Sequence, residues 1–118
     1  MVDLATFNPQ NLDELFHGLI EEGRAAVGGA VDNVAAVPAH LKTLAEATLK
    51  TAAALAEGRI DAETAKEIFE DRKATLKQAL EFEAYMALVV AQKLTDAVFR
   101  VIGAAIRNRT GINLFPGS

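Results

Sequence analysis

The chain has 118 residues and a mass of 12.6 kDa, with 51% hydrophobic and 24% charged side chains, a formal net charge of -4, and neither Cys nor Trp. That length suits one domain and argues against an enzyme carrying a separate cofactor module. The charge balance supplies no cluster of Lys and Arg for nucleic-acid phosphates, and the missing cysteines exclude disulfide frameworks, thiolate metal sites and Cys nucleophiles together.

Alanine accounts for 23 of the residues, so much of the apolar fraction signals helix propensity and close packing more than bulky core. The expected class is all-α. A first helix is predicted over about 9–22, with Pro9 at a first-turn position or a capping-box start at Asn11 and Glu14. Leu12, Leu15, Phe16, Leu19 and Ile20 share one face of it. The small-residue stretch that follows, with Gly23, Gly28 and Gly29, reads as a break. A second helix is expected over about 31–57, kinked at Pro38. Gly58 to Asp61 then forms a tight turn, with Gly58 closing one helix and Asp61 capping the next.

From Ala62 to Arg109 there is no Pro, and Gly103 is the one Gly, so the pattern predicts a single long helix over about 62–109 followed by a tail, 110–118. Its 48 residues at 1.5 Å each would span ~70 Å, too long for a compact chain of this size, whose radius of gyration would be near ~13 Å. The reading is therefore an elongated antiparallel helical hairpin of coiled-coil character with a short N-terminal helix, assembling into a multi-subunit bundle. Any break in the long helix would be expected near Gly103.

The candidate contact surface comes from the same helix. From Phe82 onward its apolar residues surround the axis, and Phe82, Tyr85, Leu88, Val89, Phe99 and Ile106 lie off the main stripe, so a neighbouring subunit is expected to cover them. Arg72 and Glu83 fall on the apolar stripe and are read as part-buried seam charges that set register, with a Glu83–His40 contact within reach. The acidic head, with Glu21 and Glu22 at its end, and the basic tail, with Arg107 and Arg109, suggest salt-dependent contacts within a subunit or between neighbours.

Chemistry-bearing motifs are few. Glu14-x-x-His17 has the spacing of carboxylate-bridged metal bundles but faces away from Leu15 and Leu19, so no metal, cofactor or catalytic residue is assigned. The N-terminus lacks a basic region followed by an apolar core, and no eighteen-residue window is free of charge, so neither a secretion signal nor a membrane span is read. A cytoplasmic or particle-associated location is favoured. Alanine-rich helical hairpins of this size occur among secretion-system, phage-structural and granule-coating proteins, a likeness of class alone. The function expected is that of a non-enzymatic structural or assembly protein, homo-oligomeric and open to a protein partner in a larger assembly. The alternative is a membrane-active helical protein inserting 25–41 and 82–106, ahead of a ferritin-like metal protein.

Overall fold

The computed structural model describes residues 2–115 and is an all-α bundle of five helices. The elements are α1 (Leu12–Val27), α2 (Ala30–Asn33), α3 (Ala36–Ala56), α4 (Ala62–Phe82) and α5 (Leu88–Thr110).

Asn11 is the residue that starts α1. Its side chain accepts the Glu14 N–H at 3.0 Å, and the Glu14 carboxylate in turn accepts the Gln10 N–H, which satisfies one open donor of the first turn and one just before the cap. The helix does not stop at residue 22 or 23 as the small-residue stretch suggested. It runs through Gly23 to Val27 and ends where Gly28 takes φ 62°, a conformation a side chain would oppose. Gly23 is tolerated in the helix because Leu94 and Val31 occupy the space a side chain would need: a Cβ there would lie 2.9 Å from Leu94 Cδ1.

The predicted second helix is two elements. Short α2 is tied back to α1 by the Arg24–Asp32 ion pair at 2.8 Å, and the chain turns at Val34–Ala35 before α3 begins. Pro38 consequently lies in the first turn of α3, where its missing N–H has no intrahelical partner to lose, so it does not kink a long helix. At the far end, Gly58 stands at φ 75°, the Arg59 N–H reaches the Ala54 carbonyl at 2.9 Å, and Asp61 accepts the Thr64 N–H at 2.7 Å to open α4. The Thr64 hydroxyl and N–H hold the Asp61 carboxyl below its ordinary pKa.

The largest correction concerns the long helix. It is broken between Phe82 and Leu88, not near Gly103, and α5 folds back beside α4. The molecule is therefore compact, with a radius of gyration of 13.4 Å and extents of 38 × 25 × 24 Å, and not an elongated hairpin. The physical reason is burial. α5 holds more buried residues than any other described helix, and in the compact form it contacts α1, α3 and α4 at once. Val98, Val101, Ile102 and Ile106 are fully buried there. Gly103 lies inside α5 with the Phe115 ring against it, and that ring stacks edge-on to Phe69 and Phe99 at centroid distances of 6.3 and 6.1 Å. Leu114 and Phe115 thus fold back onto the bundle, with Phe115 against α4 and α5 and Leu114 buried.

Candidate functional site

The segment joining α4 to α5 is where local chemistry and exposure coincide. α4 ends with the Glu83 N–H on the Ala79 carbonyl at 2.7 Å, and the Ala84 and Met86 N–H groups close back on Ala79 and Leu80 at 3.2 and 3.0 Å. To make this reversal Tyr85 takes φ 52°, and it is the only residue other than glycine with positive φ among those described. Glycine is the residue that usually supplies this conformation, because it has no Cβ to crowd the carbonyl. Ala87 then precedes α5 in an extended conformation, and no side chain caps the helix.

Around this turn the apolar side chains point outward. Phe82, Tyr85, Leu88 and Val89 are 68%, 91%, 62% and 64% exposed, and they are the exposed large hydrophobic residues of the described chain. All four belong to one eight-residue stretch, which makes a single corner in place of scattered surface residues. Glu81 and Glu83 flank it, and no Lys or Arg occurs between Lys77 and Lys93.

Of the six residues expected to form a contact surface, the structure brings together these four. It removes two. Phe99 is 3% exposed and Ile106 is fully buried, because the helix that carries them is covered within the same chain. The expected reason for a second subunit on that stretch, apolar side chains all round the helix, is met by α1, α3, α4 and by Leu4, Phe7, Leu114 and Phe115.

The two seam charges differ in burial but line one groove. Arg72 is half-buried, with its Nε lacking a hydrogen-bond partner, in a groove of about 450 Å³ between α3 and α4 that Thr43, Thr75 and Ile68 also line. Glu83 is not part-buried in a seam: its side chain is 62% exposed, because the helix ends there instead of continuing past it. Its carboxylate meets His40 Nε2 at 2.5 Å, which ties the end of α4 to the first part of α3. Across the other side of the hairpin, Lys73 of α4 pairs with Asp96 of α5 at 3.5 Å, and Gln92 donates to the same carboxylate at 2.8 Å.

The acidic head and basic tail meet within one chain, through main-chain acceptors. Arg107 Nη2 donates to the Leu4 carbonyl at 2.9 Å, and Asn108 Nδ2 donates to the carbonyls of Leu4 and Phe7 at 3.1 and 2.8 Å. Arg109 and Glu21 are exposed, whereas Glu22 is 7% exposed. Asn108 thereby has a structural role; an Asn in the last turn of a helix carries no pattern that announces a partner a hundred residues away.

The Glu14–His17 motif borders an open hollow of about 630 Å³ together with Asp3, Asp13 and Glu21. Glu14 is engaged in capping, and no group of three His, Asp or Glu side chains placed to hold a metal ion occurs among the described residues. No described helix is long and apolar enough to cross a membrane. Comparison with protein-family models, with curated proteins and with solved structures returns no match, so the reading of the site rests on its own geometry.

Proposed function

We propose that the chain is a non-enzymatic assembly protein that associates with copies of itself through the apolar corner formed by Phe82, Tyr85, Leu88 and Val89. The observation that carries this reading is the confinement of every exposed large hydrophobic side chain of the described residues to that one corner. A contiguous apolar patch on an otherwise polar surface marks an interaction site more often than a solvated one. Protein is favoured over lipid because the segment holds Glu81 and Glu83 and no Lys or Arg from residue 78 to residue 92, so it has no cation of its own to meet an anionic bilayer surface.

The corner by itself supports only weak association. Burying four such side chains at roughly 2 kcal/mol each gives ~8 kcal/mol of gross gain. The loss of rotational and translational freedom removes at least ~4 kcal/mol, which leaves a dissociation constant near millimolar. The test is light scattering over a concentration series, with Leu88→Asp and Val89→Asp together as the variant. Loss of self-association in the variant supports the reading. A chain that stays at 12.6 kDa at all concentrations overturns it, and flotation with neutral or anionic vesicles would transfer the corner to the membrane reading.

A further inference from the structure

We infer that the α4–α5 turn is a hinge that opens into a continuous helix, and that the chain dimerises by exchanging α5 with a second copy. This rests on the self-association proposed above and supplies its mode.

Four observations converge on it. First, no Pro or Gly occurs between Ala62 and Ile102, so nothing in the local sequence requires the break. Second, the buried stripe of α4 meets buried residues of α5 on the same side of a continuous helix, α5 being buried on its other sides as well. At 100° per residue Leu76, Leu80, Ala87, Ala91, Leu94 and Val98 fall within one ~80° sector, and five of these six are buried, Ala87 at the turn being the exception. Third, the break is maintained by Tyr85 at φ 52°, a conformation that an L side chain opposes and that helix would relieve. Fourth, Phe82, Tyr85 and Val89, which the turn exposes, fall on the opposite side of the continuous helix within a ~60° sector.

In the opened form each α5 leaves its own α1, α3 and α4 and takes the same place in the other copy. The core contacts and the Lys73–Asp96 pair are then remade between chains. Residues 83–87 regain helical hydrogen bonds. The two long helices cross at the hinge on a two-fold axis, where each Phe82–Tyr85–Val89 stripe faces its equivalent. Exchange by this route supplies the large interface that the corner alone lacks. Because α5 is the most buried helix, exchange requires global opening, so the two forms interconvert slowly and separate on a column.

The experiment exploits the absence of native cysteine. Glu63→Cys and Arg109→Cys, both exposed, carry spin labels, and labelled chain is refolded at high concentration with excess unlabelled chain. Monomer and dimer are then separated, and the distance within one chain is read by pulsed electron resonance. The compact fold holds the labelled positions within its 38 Å longest extent. The continuous helix sets them about 69 Å apart. A dimer with the long distance is the expected result.

Ala87→Pro is the companion variant. Ala87 has φ -60° and ψ 147°, which proline adopts, so the closed turn and all four apolar side chains are retained while the continuous helix is interrupted. Dimerisation should weaken roughly a hundred-fold or more. A dimer whose chains keep the short distance, or one that Ala87→Pro leaves intact, overturns the exchange and leaves association of compact chains standing. A chain that is monomeric under all conditions overturns both. If Ala87→Pro fails to fold by circular dichroism, the label distance in the otherwise native chain decides alone.

Discussion

Tyr85→Gly isolates the backbone contribution of the hinge. The side chain is 91% exposed, so its removal forfeits almost no packing, and the effect reads the conformation at φ 52° directly. A non-glycine residue in the left-handed region costs roughly 1–2 kcal/mol. Glycine's greater freedom in the unfolded chain returns about 0.5–1 kcal/mol of that. The net expectation is a stabilisation of about 0.5–1 kcal/mol, or a rise in Tm of roughly 2–5 °C for a domain of this size. Thermal melts followed by circular dichroism, with urea titrations at constant slope, provide the assay. Tyr85→Ala is the control: it removes the ring but keeps the strained backbone, and should stay within about 0.5 kcal/mol of the native chain. Should Tyr85→Gly melt at or below the native temperature, or should Tyr85→Ala match its gain, the turn is not strained and the argument for a spring-loaded hinge fails.

Three further outcomes follow from the packing and caps. Phe69 is fully buried and meets the Phe115 ring, so Phe69→Ala should lose about 3–5 kcal/mol, a large share of a typical domain's stability, read as a lower urea midpoint. Gly23→Val should destabilise by roughly 1–3 kcal/mol despite better helix propensity, because even a Cβ would press on Leu94; a neutral result would mean that α1 and α5 are looser than drawn. The Asp61 carboxyl, lowered by its hydrogen bonds to Thr64, contributes stability that is present above the unfolded-state pKa and is lost as pH falls through the folded-state value. Asp61→Ala should therefore lower Tm at neutral pH, and the difference from the native chain should shrink as the pH falls through the folded-state value; a difference independent of pH would rule out the charged cap as its source.

Much of the helical content was legible because its signals are local. Asn11 with Glu14, Gly58, Asp61 with Thr64, and Arg107 and Arg109 before Gly111 each act over three or four residues, so neighbouring sequence suffices to place these helix ends. The His40–Glu83 contact was reachable too, since a tight turn at 58–61 fixes which residues of α3 and α4 lie side by side. Gly23 misled for a physical reason: its cost within α1 is offset by the close approach of Leu94 and Val31, neither of them local. Phe99 and Ile106 misled because an all-round apolar helix says that something covers it without saying whether that cover belongs to the same chain.

The sequence by itself determined that this protein is helical and where most of its caps lie, and it carries no Pro or Gly between Ala62 and Ile102 to mark a break. Only the tertiary structure decided that the helix is broken at 83–87. No residue there demands it; burial of α5 against α1, α3 and α4 gains more than the lost helical turn and a left-handed Tyr85 cost. That choice also exposes Phe82, Tyr85, Leu88 and Val89, because a turn presents to solvent the side chains on its outer edge.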